Sequence, residues 1–173
     1  METEDRSRKE IFYDEFPFRN RVFKIYFLAD YTVLYTTFSS SPPSWLDGRD
    51  PSHRSFFWAT MISDYLSGRP VDLSAISVDA SYTPSSRFQK AVWHACRSLR
   101  YGERITYSSF SKRFSLGSPR SVGTALSKNP IPLFIPCHRV IGKDGLGGFM
   151  GKDSGDEVSL KQSLLDLETP KNI

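Results

Sequence analysis

The sequence predicts an α+β fold in two parts. A small β-rich N-terminal part with one helix covers residues 1–80, and a mainly helical C-terminal part covers residues 81–173. Three observations predict it. Phe23, Ile25 and Phe27 share one face of an extended run, and the following run is rich in Thr, Tyr and Val. Beyond Pro84 the chain changes character, and capped apolar segments suited to helices follow one another. Finally, 173 residues with 39% hydrophobic and 14% aromatic content can build one ordinary domain, or two small ones sharing a core.

Taken in order, Arg21 to Leu28 and Tyr31 to Phe38 read as strands, with Ala29-Asp30 as a tight hairpin between them. Ser39-Ser40-Ser41-Pro42-Pro43 breaks regular structure and opens a loop ending near Pro51. An amphipathic helix is expected over about Ser52 to Leu66, with Phe57, Met61, Ile62 and Tyr65 at helical spacing; these aromatics read as core. Residues 69–81 read as a linker with room for one short strand. Pro84-Ser85 then open a helix carrying Phe88, Val92, Ala95, Cys96 and Leu99, so Cys96 reads as a small core residue. A short helix from Tyr107 to Phe114 leads through Ser115-Leu116-Gly117 to Ser118. That serine caps a helix with Pro119 at its first position, running to about Lys128. Two short helices joined by a tight Gly-containing turn outline a helix-turn-helix of the winged-helix kind. Ile131 to Ile135 is expected as a buried strand or extended segment that delivers Cys137 and His138.

Charge divides unevenly along the chain. Residues 1–86 hold nine Lys/Arg against twelve Asp/Glu, whereas between Arg87 and Val140 ten basic residues face Glu103 alone. Such a surplus marks either a polyanion-binding surface or a solvated basic face, and its coincidence with the helix-turn-helix outline favours DNA. The charged opening Met1–Arg6 and the lack of any long apolar run exclude a secretory signal and a membrane span. With only Cys96 and Cys137 present, a disulfide scaffold is excluded, and no zinc-site spacing occurs. The expectation is a reduced, soluble, cytoplasmic protein, or a nuclear one in a eukaryotic source. It is expected to be monomeric, with no metal, no cofactor and no membrane partner.

The chemistry concentrates in Ile135-Pro136-Cys137-His138-Arg139-Val140. A lone cysteine can be a buried hydrophobe. Here Pro136 fixes the backbone, while His138 and Arg139 supply the base and the positive field that a thiolate needs.

This run resembles the signature of the O6-alkylguanine-DNA alkyltransferases, also called methylated-DNA–protein-cysteine methyltransferases. Further blocks resemble that family in the same order from about Thr83 to Glu168: Gly102 to Tyr107, Ser118 to Leu126, Asn129-Pro130, and Lys161 to Glu168. The resemblance implies repair of double-stranded DNA carrying O6-alkylguanine by one irreversible alkyl transfer to a cysteine. It implies a catalytic set of Cys137 as nucleophile, His138 as base through a water, Glu168 orienting that relay, and Tyr107 holding the nucleotide and protonating the leaving guanine. Arg120 would enter the duplex in place of a flipped base. Ser121, Gly123 and Lys128 complete the DNA-binding set, with the helix in the minor groove. Asn129, Arg139 and Val140 support the active site.

Two features depart from the pattern. Where the family often has Tyr-Ser, this chain has Gly148-Phe149-Met150, so a hydroxyl is missing there unless Ser154 supplies it; the loop from Phe149 to Lys161 also reads as longer than usual. A lesion sensor of the same fold would lack Cys137. A methyl-responsive regulator would need an N-terminal cysteine cluster, which residues 1–86 lack.

Overall fold

Aromatic side chains occur in each of three strands of the computed structural model, which describes residues 9–46 and 49–169. Strands β1 (Ile11–Phe18), β2 (Arg21–Leu28), β3 (Val33–Thr37) and β4 (Ser52–His53) form a sheet in the order β3-β2-β1-β4. β1 and β2 are antiparallel from Ile11↔Leu28 to Phe18↔Arg21, closed by a two-residue turn with Arg19 at φ 55°. β1 lies outside the strands expected from the sequence. Its Asp14 and Glu15 and the proline at position 17 mask the pattern, yet Phe12, Phe16 and Phe18 are buried. The charged opening Met1–Arg6, and the outermost limits of the two expected parts, lie outside the described residues.

Helix α1 spans Ala59–Leu66, seven residues later than the expected start at Ser52. The reason is tertiary: Ser52 and His53 pair with β1, and the Asp14 carboxylate accepts the Phe56 backbone N–H at 2.8 Å, which holds the chain extended. Between Leu28 and Val33 the turn is longer than Ala29-Asp30. Tyr31 sits at φ 63°, and the Asp30 carboxylate accepts the Thr32 N–H. In the expected linker, Val78 bridges Val33 in parallel and residues 80–82 make a 3₁₀ turn.

The C-terminal part begins with α2 (Arg87–Arg97), whose Ser86 and Gln89 form a reciprocal capping box. Strand β5 (Ile105–Thr106) leads into α3 (Tyr107–Arg113), and α4 (Pro119–Leu126) starts from a second capping box between Ser118 and Ser121. The turn between α3 and α4 is pinned by the Ser111 hydroxyl, shared between the carbonyls of Leu116 (2.6 Å) and Gly117 (2.5 Å). A Cβ at Gly117, where φ is 25°, would meet Ser121 Oγ at 2.9 Å and displace that capping hydroxyl. The Trp93 indole of α2 donates to the Ala125 carbonyl at 2.9 Å and fixes α4 from behind.

After α4 the expected strand over Ile131 to Ile135 is absent. Pro130, Pro132 and Pro136 remove ladder donors. Leu133 takes φ 72°, and Ile135 N–H closes a turn onto the Ile131 carbonyl at 2.9 Å. The segment is a compact buried turn. Strand β6 (Val140–Ile141) pairs in parallel with β5. Helix α5 (Asp156–Leu167) starts five residues before Lys161, so its first five residues come from the segment expected as loop. One continuous apolar cluster runs from Phe12 and Phe27 in the sheet, through Ile62, Val92 and Ile131, to Leu164.

Candidate active site

Cys137 is delivered by backbone geometry that its preceding proline dictates. Pro136 has φ −78° and ψ 60°, and Cys137 N–H bonds the Ile135 carbonyl at 2.7 Å, an inverse γ-turn. The chain then enters a single 3₁₀ turn over Cys137–Arg139. Asn129 staples this bend. Its Nδ2 donates to the Ile135 carbonyl (2.8 Å) and to Cys137 Sγ (3.0 Å), while its Oδ1 accepts the Ile131 N–H (2.9 Å). Burial pushes the Cys137 thiol up; the Asn129 donor, the Lys161 ammonium and the N–H groups of Cys137 and His138 act the other way. The thiol is therefore held protonated, beside groups that would stabilise its anion.

Cys137, Tyr107, Arg120 and Gly123 line one cavity of about 540 Å³. Gly148, Phe149 and Met150 also line it, with Phe149 buried and Met150 at φ 48°. Ser154, the candidate for the missing hydroxyl, is exposed and does not line the cavity. Tyr107 opens α3, and its hydroxyl donates to the Gly148 carbonyl at 3.3 Å. Burial lifts the phenol to about 12, so it keeps its proton at neutral pH. Arg120, in the first turn of α4, is exposed at the cavity mouth, and its guanidinium has no hydrogen-bond or ion-pair partner among the described residues. Gly123 faces the Tyr107 ring, where a Cβ would sit at 3.6 Å. Ser121 is engaged in capping α4 and Lys128 is exposed past its end, so neither lines the cavity. Glu103, the lone acid of the basic stretch, pairs with Arg113.

Behind Cys137 lies a buried charged network. Glu168 caps α5, and its Oε1 meets His138 Nε2 at 2.9 Å, Arg139 Nη2 at 2.7 Å, and the Tyr65 hydroxyl. Its Oε2 accepts from Arg139 Nε (3.0 Å) and from the Gly102 N–H (3.1 Å). Burial alone would raise the Glu168 carboxyl, but donors from His138 and Arg139 hold it well below the usual range, hence ionised. Arg139 also donates to the Leu99 carbonyl at 2.6 Å. His138 is fully buried; burial lowers its pKa and outweighs the pull of Glu168, so the ring is neutral. An ionised carboxylate can only accept. Nε2 therefore carries the proton, and Nδ1, which has no protein partner among the described residues, keeps its lone pair.

Two members of the site carried no signal in the sequence. Lys161 is buried, with its ammonium on the carbonyls of Val140 (2.7 Å), Leu146 (2.6 Å) and Gly148 (3.0 Å), tying β6 to the loop that walls the cavity. Burial lowers it to about 8. Tyr65 arrives from α1 and reads in sequence as an ordinary core aromatic. Among the described residues, no three His, Cys, Asp or Glu side chains gather as a metal site.

Residues 87–170 match the family model described as 6-O-methylguanine DNA methyltransferase, DNA binding domain. A methylated-DNA–protein-cysteine methyltransferase of Saccharolobus islandicus is 39% identical over 123 residues, covering 70% of this chain and 73% of that protein. The chain belongs to this methyltransferase family. Another member, from Metallosphaera sedula, is 38% identical over 107 residues, 62% of this chain, and the matched stretch spans 63% of that relative's length. The fold is that of the family too: the O6-methylguanine methyltransferase of Mycobacterium tuberculosis superposes with a TM-score of 0.73 at 24% identity, covering 91% of this chain and 92% of that one. Among the described residues no helix is long and apolar enough to cross a membrane.

Proposed function

We propose that this chain repairs O6-alkylguanine in double-stranded DNA by a single, irreversible alkyl transfer to Cys137. One observation carries the reading: Cys137 Sγ, held by Asn129, opens onto the cavity, while a neutral, tautomer-fixed His138 stands behind it. The thiol needs a base at the moment of attack, because burial keeps it protonated. His138 Nδ1 takes that proton through a water, and Glu168 and Arg139 hold the imidazole in place. Sγ then bonds the alkyl carbon as the carbon–O6 bond breaks, and Tyr107 supplies a proton to the departing guanine. The product is a thioether, which no residue nearby can hydrolyse, so each molecule acts once. No cofactor takes part.

DNA binding falls to the basic stretch from Arg87 to Val140. Helix α4 lies in the minor groove, where Gly123 permits close approach and Arg120, without a partner among the described residues, fills the gap left by the flipped base. Ser121 and Lys128 serve the backbone rather than the base. The boundary between the two parts falls near residues 80 and 81, and the protein acts as a monomer inside the cell.

Intact-mass analysis after incubation with O6-benzylguanine tests the reading. One added benzyl group, mapped to Cys137, is expected. An adduct on Cys96, whose thiol is fully buried, or product release beyond one equivalent, would defeat it.

A further inference from the structure

We infer that Tyr65, on the last turn of α1 in the N-terminal part, is a positioning residue of the proton relay. The inference rests on the reading of His138 as the proton acceptor. Tyr65 is 0% exposed. Its hydroxyl reaches two groups of the relay at once: His138 Nε2 at 3.1 Å and Glu168 Oε1. Its ring stands edge-on to Tyr101, with centroids 5.8 Å apart, which fixes the direction of the hydroxyl.

The proton arrangement follows from donor and acceptor capacity. Ionised Glu168 can only accept, so the single Tyr65 proton goes to Oε1. His138 Nε2, 2.9 Å from the same oxygen, must present an N–H to it, because a lone pair there would face a carboxylate. The Tyr65 oxygen keeps its own lone pairs and shares that N–H. Two consequences follow for His138. The tautomer with a free Nδ1 lone pair is enforced, and Oε1 divides its charge between imidazole, guanidinium and phenol. Less of that charge is left to stabilise an imidazolium, so the ring stays neutral and able to take a proton. Among the described residues, the charged and titratable groups that act on the imidazole are Glu168 and Lys161 from α5 and its cap, Arg139 from its own turn, and Tyr65 from α1. Of these, Tyr65 alone comes from the N-terminal part, and it lies 73 residues from His138 and 103 from Glu168 in sequence. The relay is thus assembled from both parts of the chain.

The test is Tyr65→Phe in the full-length chain, followed by the pH dependence of benzyl transfer from free O6-benzylguanine, with a melting curve beside it. Without the phenol proton, Oε1 concentrates its charge on His138, and the imidazole becomes more basic. The acidic limb of the rate profile should move up by about one pH unit. The rate at neutral pH should fall about tenfold, the size expected for losing a hydrogen bond to a charged group. A Phe variant whose acidic limb coincides with that of the unmodified protein overturns the inference, and a lowered melting temperature alone does not rescue it. A second measurement needs no variant: nitrogen-15 histidine spectra of the unmodified protein should show His138 protonated at Nε2. A ring protonated at Nδ1 overturns the inference whether or not the chain transfers alkyl groups. By contrast, unmodified protein that takes no benzyl group, or takes it with no acidic limb, overturns the underlying reading of Cys137 and His138.

Discussion

Replacing Glu168 by Gln removes one charge and almost no volume, which makes it a clean probe of the buried network. The amide oxygen can serve one side of the cluster. The amide nitrogen must then point its hydrogens at either Arg139 and Gly102 N–H, or at Arg139, Tyr65 and His138, all of them donors in the native arrangement. Arg139 is 7% exposed, so its guanidinium would be left buried without a counter-charge. Breaking one side of a buried ion pair costs about 3–5 kcal/mol. For a chain of this size each kcal/mol lowers the melting temperature by about 2–4 °C, so Glu168→Gln should melt about 6–20 °C lower at pH 7. The pH dependence has a definite sign. The folded-state pKa of Glu168 lies below its unfolded value, so the ion pair contributes fully above about pH 4.3 and is lost progressively as pH falls further. Circular dichroism melts of both proteins at pH 7 and pH 3 provide the assay, and the gap between them should be narrower at pH 3. A loss under about 3 °C at pH 7, or a gap as wide at pH 3, would refute the claim that Glu168 is the charge compensating Arg139.

Arg120→Ala should slow reaction with alkylated duplex by at least about tenfold more than reaction with free O6-benzylguanine, because only the duplex requires base flipping; equal slowing on both substrates would remove Arg120 from that role. At Gly147, φ is 67° and an added Cβ would meet the Tyr107 ring at 2.9 Å, so Gly147→Ala should displace that ring. Its single-turnover rate should drop about ten- to a hundredfold, and an unchanged rate would show that Tyr107 tolerates movement. Asn129→Ala removes the donor to Cys137 Sγ, so the thiol should titrate at still higher pH. The pH profile of iodoacetamide labelling at Cys137 should shift upward, and a downward shift would reverse the assigned sign.

What the sequence disclosed follows from what is local. The run from Ile135 to Val140 places its chemistry in consecutive residues, and Pro136 dictates the bend by itself, so Cys137 and His138 were legible as a pair. The cap at Ser118 and the proline after it marked α4 for the same reason, and its found span, Pro119–Leu126, ends within two residues of the expected Lys128. Strand β1 was hidden, because its acids look like loop residues until Asp14 is seen to bond Phe56 N–H. The extended reading of Ile131 to Ile135 failed where three prolines and a left-handed Leu133 turned an apolar run into a coil. Lys161 and Tyr65 were illegible in principle. One is a lysine buried by three distant carbonyls, and the other an aromatic whose hydroxyl finds its partners only after both parts have packed.

The outer edge of β3 has a consequence for how the molecule must be made. At one end Val33 is covered by the segment around Val78; at the other, Thr36 N–H and hydroxyl bond the carbonyls of Pro130 (3.0 Å) and Pro132 (2.8 Å). An open strand edge is a template for pairing with another chain. Synthesis proceeds from the N-terminus at about 5–20 residues per second, and Pro132, which helps close the second end, lies 96 positions downstream of Thr36. A ribosome therefore carries the phenylalanine-rich sheet with half its border open for about 5–20 seconds on every round of translation. The nascent protein is at its most adhesive before the residues that will become its reaction centre exist, and the same turn that later cradles Cys137 is what ends that exposure.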